Sequence, residues 1–198
     1  MSQTLAARKN IAANWRRNSS PVKIGKDLLD QFSNSMFVDT MALYREYIQN
    51  AADSIDEARY IGLLPSADLG KVEISIDTNN RTVTIRDNGT GIGRDRFEER
   101  LSAFGASYKR GTSARGFRGV GRIAGLGYCQ ELIFRSRMSG ESDVHEMRWD
   151  CRSIKTILNT DDDTSSLEDL ISSVVNIRDV DGKGWPDHFF EVKMRGVV

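Results

Sequence analysis

The sequence predicts an α+β fold in which helices cover one face of a mixed, mostly antiparallel sheet. Residues 26–37 and 39–59 carry apolar side chains at helical spacing, whereas several later segments alternate apolar and polar residues, as strands do. Helices and strands follow one another in mixed order, which favours an α+β layered arrangement. With 198 residues the chain can form a sizeable core without disulfides or metals.

The predicted helix over residues 39–59 is long, and Asp39 or Thr40 supplies its N-cap. We expect its buried face to comprise Met41, Tyr44, Ile48, Ala51, Ala52 and Ile55. After Gly70, residues 71–77 and 82–86 alternate in polarity around Asn79-Asn80, which predicts a β-hairpin. Residues 94–104 return to helical spacing.

Residues 105–121 are rich in glycine and basic side chains and predict a long, positively charged loop. Strands are expected within residues 129–137 and 144–157. Residues 172–180 and 188–197 are expected to form a second antiparallel pair around the turn at 181–184.

Charge and cysteine usage limit the class of protein. The 28 basic and 28 acidic residues cancel, so nothing in the total favours nucleic acid or an anionic membrane. Residues 1–25 nevertheless form a basic arm without an acid. Cys129 and Cys151 are predicted to be reduced, buried thiols, and the absence of an apolar span predicts a cytoplasmic protein without a membrane partner.

Three motifs could carry chemistry. Glu46 and Asn50 lie one helical turn apart, where a carboxylate can act as a base and an amide oxygen can bind Mg²⁺, although such pairs also occur on solvated surfaces. Asp87-x-Gly89-x-Gly91 follows a strand. Its carboxylate can accept a hydrogen bond from an exocyclic amine, although the string taken alone favours a simple Asp-Asn-Gly turn.

The third motif is glycine-rich. Gly116, Gly119 and Gly121 precede a helix start near Arg122, where free backbone N–H groups favour phosphate. The chain has no GxxxxGK[ST] loop, which excludes a P-loop fold.

In this order and at these separations, the three motifs resemble the GHKL superfamily of ATPases, which share the Bergerat fold. The match covers roughly residues 27–127 and is most similar to the heat-shock protein 90-like members. The resemblance implies a single ATP-binding domain over residues 26–198 with a lid at about 105–121, lacking C-terminal effector domains. It implies ATP or ADP and Mg²⁺ as ligands.

The resemblance also implies roles for individual residues. Glu46 would polarise the attacking water, Asn50 would hold Mg²⁺, and Asp87 would bind the adenine amine with Gly91 admitting the base. Further contacts to the nucleotide would come from Asp53, Gly89, Ile92, Lys109, Gly116, Gly119, Val120, Gly121 and Arg122. Where the family has a late adenine-binding Thr, this sequence has Trp185 to Val192, so His188 or a neighbour would substitute for it.

The resulting expectation is a slow Mg²⁺-dependent ATPase whose lid closure signals to other domains or to a dimer partner. The basic arm is a candidate for exchange between subunits, and a protein client is a candidate partner. Two alternatives are a nucleotide-gated interaction module with negligible turnover and a MutL-like DNA-associated ATPase, the latter disfavoured by the neutral charge.

Overall fold

A computed structural model describes residues 15–17, 23–24, 40–65, 69–104, 125–158 and 172–197. These ranges contain nine strands and three helices. The strands are β1 (Arg16–Arg17), β2 (Lys23–Ile24), β3 (Val72–Asp77), β4 (Thr82–Asp87), β5 (Ala103–Phe104), β6 (Glu131–Arg137), β7 (Asp143–Asp150), β8 (Val175–Asp181) and β9 (Phe189–Arg195). The helices are α1 (Thr40–Tyr60), α2 (Arg94–Ser102) and α3 (Cys151–Leu158).

Seven strands form one antiparallel sheet in the order β1-β8-β7-β6-β9-β4-β3, and β2 pairs with β5 in a separate parallel pair. One face of the large sheet packs against residues of all three helices, including Leu43, Phe97 and Ile154. The predicted α+β class is therefore confirmed. None of the helices in these ranges is long and apolar enough to span a membrane.

Helix α1 has the predicted length, and Ala51 and Ile55 of its predicted buried face are buried, but the rest of that face differs. Leu43, Tyr47, Ala51, Ile55 and Ala58 are buried, whereas the predicted Met41 and Ile48 are 62% and 39% exposed. Both rows satisfy helical spacing, because each repeats every three or four residues. The packing of α1 on β4 selects the row that begins at Leu43.

The predicted β3–β4 hairpin is present, but the expected pairing of the last two strands is wrong. β8 pairs with β7, whereas β9 lies between β6 and β4. Two strands therefore separate β8 from β9, a distance of about 14 Å at the usual strand spacing. The segment after Asp181 spans that distance, so it is a crossover rather than a hairpin turn. The predicted segment 144–157 is a strand followed by helix α3.

The two cysteines and His145 lie in the core. Cys129 and Cys151 are buried free thiols, as predicted, with 3.8 Å between their sulfur atoms. His145 is 3% exposed, and its Nδ1 and Nε2 lie 2.7 Å and 3.2 Å from carboxylate oxygens of Asp179 and Glu141. The predicted helix over residues 26–37 lies outside the described residues.

Candidate functional site

Asp87 ends strand β4 on the helix-covered face of the sheet. Its register pairs it with Phe190 of β9 and Val72 of β3, and only 4% of the residue is exposed. The alternation along β4 explains this burial, because Val83, Ile85 and Asp87 all point to the same face. A carboxylate is thus placed at the edge of the apolar core.

Burial dominates the electrostatics of this carboxylate. Loss of hydration raises the pKa of Asp87 from 3.8 to about 7, and hydrogen bonds from Gly89 N and the Ser54 side chain only partly oppose that rise. Within the described ranges no ion pair involves Asp87. A buried carboxyl group in such surroundings is a candidate partner for a neutral donor from outside the chain.

Gly89 follows Asp87 and packs directly against α1. Its N–H donates to Asp87 Oδ1 at 2.9 Å, and a Cβ at this position would lie 2.1 Å from Ser54 Oγ and 2.6 Å from the Ser54 carbonyl carbon. Ser54 Oγ also accepts from Thr90 N at 3.1 Å. Glycine is required here for contact with the helix.

Gly91 and Ile92 attach the other end of the loop to the sheet. Gly91 has a φ of +68°, and a Cβ there would lie 2.1 Å from the Arg137 carbonyl oxygen. Ile92 N donates to Ser136 Oγ at 2.6 Å, and that hydroxyl donates to Phe189 O at 3.1 Å. These contacts give Gly91 a packing role, and its expected role in admitting the base remains a prediction.

His188 lies against the same loop. Its Nδ1 is 2.8 Å from the carbonyl oxygen of Gly89, so Nδ1 carries the proton and donates it. The structure therefore brings His188 to the Asp87 motif across 99 residues of sequence. The contact that it shows is with the loop backbone, and direct contact with a base remains a prediction.

The polar residues predicted on α1 are partly accessible. Glu46, Asn50 and Asp53 are all half-buried, and Gln49 Nε2 donates to Asp53 Oδ1 at 3.2 Å. Asn50 Nδ2 is buried and has no hydrogen-bond partner among the described residues. The unpaired Nδ2 is a donor that a phosphate oxygen would satisfy, and Oδ1 of the same amide is a ligand of the kind that Mg²⁺ takes, so the residue fits a site for Mg²⁺ and phosphate.

Tyr47 connects this helix to the turn at residues 125–127. The residue is buried, its Oη accepts from Gly125 N at 3.2 Å, and burial raises the pKa of the phenol well above its usual range. The helix that carries Glu46 and Asn50 is thereby joined to the segment that follows the predicted phosphate loop.

Known proteins resemble this chain in sequence. Residues 44–178 match the family described as histidine kinase-, DNA gyrase B- and HSP90-like ATPase. The chain belongs to this family. The match includes most of α1, the hairpin and the Asp87 loop, and the predicted GHKL membership is confirmed.

Individual relatives are chaperones by name. The chain is 26% identical over 190 residues to the chaperone protein HtpG of Clostridium acetobutylicum, covering 87% of this chain and 30% of that protein. It is 31% identical to HtpG of Coxiella burnetii over 63% of this chain and 22% of that protein. A shorter match of 37% identity joins 44% of the chain to HtpG of Frankia casuarinae. The chain spans less than a third of these relatives.

The remaining predicted contacts of this GHKL domain lie outside the described residues. They are Lys109, Gly116, Gly119, Val120, Gly121 and Arg122, together with the whole lid at about 105–121.

Sequence reasoning missed Tyr47, Ser54 and Ser136. Each acts through a hydrogen bond to backbone far away in sequence. Ser54 and Tyr47 had a local signal, because they lie four residues after and three residues before Asn50 on α1.

Proposed function

We propose that this GHKL domain binds ATP with Mg²⁺ and hydrolyses it slowly, and that nucleotide state moves the lid. The observation that carries the proposal is the buried carboxylate of Asp87, which has no cation beside it among the described residues and has its pKa raised to about 7. Such a group favours a neutral donor such as an adenine amine. The orphaned Asn50 amide on the neighbouring helix supports a phosphate and metal subsite.

Each residue then has a defined task. Asp87 accepts the hydrogen bond from the adenine amine, while Gly89 and Gly91 keep the loop close to α1 and the sheet. Glu46 accepts a proton from the attacking water. Mg²⁺, held by Asn50 and phosphate oxygens, would supply neutralisation of phosphate charge. Gly119, Val120 and Gly121 would donate backbone N–H groups to the phosphates, with Lys109 of the lid as a further contact.

Calorimetric titration of Mg-ATP and ADP tests the adenine assignment. Asp87→Asn should weaken both nucleotides by at least about 100-fold, because the mutant amide presents a donor to the amine. It should also keep the fold, since it removes a buried charge. Undiminished affinity in a folded Asp87→Asn protein would overturn the assignment.

The protonation of Asp87 gives a second readout of the same experiment. An amine donor favours the ionised carboxylate, so nucleotide binding should release a proton near pH 6.5. Titration in two buffers with different ionisation heats measures that release, which Asp87→Asn should abolish.

Turnover is tested separately. Glu46→Ala should bind Mg-ATP with unchanged affinity and release no phosphate, and hydrolysis at the wild-type rate would exclude Glu46 as the base. If the wild-type protein itself binds ATP but releases no phosphate, the nucleotide-gated interaction module would be favoured instead.

Exchange of the basic arm between subunits and a protein client belong to the same proposal, supported by relatives that are named chaperones.

A further inference from the structure

The outer edge of the sheet carries exposed apolar side chains. β3 ends the strand order and pairs only with β4 among the described strands. Ile74 and Ile76 are 52% and 68% exposed, although the register places them on the same face as the buried Ile85 and Val83. The apolar pattern of a core strand is therefore present at an edge where no element of the described chain covers it.

This edge lacks two of the usual protections against strand pairing. Edge strands are normally blunted by proline, a bulge, charged side chains, or charges directed inward. β3 contains no proline and pairs residue for residue with β4, and its charges at Glu73 and Asp77 lie on the face opposite to Ile74. Its outer backbone groups remain a template for a further strand.

We propose that β3 is a dimer interface at which a second copy of this chain pairs antiparallel with it. A two-fold axis perpendicular to the sheet leaves each side chain on its own face, so opposed residues must share a face. Two registers satisfy this condition and keep most of the strand paired. They are centred on Ile74 and on Ser75.

The charges of the opposed residues distinguish the two registers. Centring on Ile74 places Val72 opposite Ile76 and places Lys71 opposite Asp77, two pairs of matching character. Centring on Ser75 places Glu73 opposite Asp77, which opposes like charges. The side chain of Lys71 is 67% exposed and pairs with Glu73 of its own strand, so Lys71 would exchange Glu73 for Asp77 of the second copy. Hydrogen bonds from Asn80 hold the pKa of Asp77 below its usual range. The structure thus favours the Ile74 register.

More apolar surface lies at the start of β3. Tyr60 and Ile61 at the end of α1 and Leu69 before β3 are 92%, 61% and 51% exposed. The end of α1 is close to this segment, because a Cβ at Gly70 would touch Ile55 and Arg59. A pair of six-residue strands is small for a stable interface, and these side chains enlarge it.

The edge is joined to the nucleotide loop through Asn88. Asn88 Oδ1 accepts from Lys71 N at 2.7 Å, and Asn88 Nδ2 donates to Leu69 O at 2.6 Å. Pairing of β3 in the dimer would therefore fix residues 69–71, to which Asn88 is hydrogen-bonded. The dimer itself does not depend on nucleotide.

Analytical ultracentrifugation of the full chain without nucleotide tests the interface. We expect a concentration-dependent dimer whose dissociation constant rises at least tenfold in Ile74→Lys, because the register opposes the two introduced charges. Met138→Lys, at an exposed position far from β3, should leave the dimer unchanged. A monomeric wild type, or a dimer that survives Ile74→Lys, overturns the proposal; the second result would point to the basic arm.

Cysteine crosslinking tests the register independently of folding stability. Under copper-phenanthroline oxidation, Ile74→Cys should form an interchain disulfide and Ser75→Cys should not. Faster crosslinking of Ser75→Cys would exclude the Ile74 register. Lys71→Glu should weaken the dimer, and the double variant Lys71→Glu with Asp77→Lys should restore it. Failure of that rescue would also contradict the proposed pairing.

Discussion

Both faces of the sheet bury carboxylates, but they treat them in opposite ways. Asp87 on the helix-covered face is 4% exposed and forms no described ion pair. Glu191 and Glu146 on the other face are 1% and 2% exposed, and arginines surround both. Equal burial therefore accompanies two different electrostatic environments within one sheet.

The ion pairs of the second face follow one row across five strands. The row, called here the charged ladder, runs Arg86, Glu191, Arg135, Glu146, Arg178, and each neighbour is opposed in register. Arg86 Nε and Arg135 Nη1 bind Glu191 at 2.8 Å and 2.7 Å, and Arg178 Nε binds Glu146 at 2.8 Å. Cross-strand pairing thus satisfies both carboxylates.

The difference shows which buried carboxylate is available to a ligand. Carboxylates in the charged ladder already have their donors within the chain. Asp87 receives backbone and hydroxyl hydrogen bonds, yet its raised pKa shows that these do not offset lost hydration. A donor from outside the chain would complete its environment.

Removal of one ladder carboxylate should give the largest effect. Glu191→Ala leaves Arg86 and the mostly buried Arg135 without their shared partner, which should cost about 3–5 kcal/mol of unfolding free energy. Urea unfolding measures the loss. Arg152→Ala, which breaks an exposed pair with Asp150, should cost less than about 1 kcal/mol. A Glu191→Ala loss as small as the control would show that the ladder is not stabilising.

The ionised carboxylate of Asp87 should lower the unfolding free energy, whereas the ladder carboxylates raise it. Its folded pKa of about 7 exceeds the unfolded value of 3.8, so the folded state binds the extra proton between these values. This contribution is fully present below pH 3.8 and is lost as pH rises through 7. The wild-type unfolding free energy should thus fall, relative to Asp87→Asn, by roughly 3 kcal/mol between pH 5 and pH 8. A parallel pH dependence of the two proteins would contradict the raised pKa.

Sequence reasoning predicted the local features well. The helix that carries Glu46 and Asn50, the β3–β4 hairpin and the position of Asp87 at a strand end all depend on periodicity or on short motifs. The structure places them as predicted, within one residue at the ends of α1 and β4.

Features that depend on distant pairing were not predictable in this way. The insertion of β9 between β6 and β4 is set by contacts across the whole sheet, and nothing local distinguishes β9 from a hairpin strand. The charged ladder emerges only from that strand order, since Arg86 and Glu191 are 105 residues apart. His188 reaches Gly89 for the same reason.

The two faces also differ in the contacts that hold them. Close backbone contacts hold the Asp87 loop, whereas ion pairs between side chains hold the charged ladder. Gly91→Ala would place a Cβ 2.1 Å from a carbonyl oxygen at positive φ, and should cost roughly 3 kcal/mol from crowding and left-handed strain together. Gly184→Ala shares the positive φ but meets nothing within 4 Å, so it should cost about 1–2 kcal/mol. Thermal unfolding measures both. Equal losses would mean that the Gly91 contact relaxes freely.

The smallest effect is expected where the ladder meets the first strand. Trp15 lies 4.7 Å and 4.3 Å from the guanidinium carbons of Arg148 and Arg178, just before the two-residue strand β1. Trp15→Leu keeps an apolar side chain but removes the ring, which should cost about 0.5–1 kcal/mol. Because β1 is the edge strand opposite to β3 in the described sheet, amide hydrogen exchange should accelerate there while Asp87 and its loop keep their protection. Faster exchange at the loop would show that the two faces of the sheet are coupled.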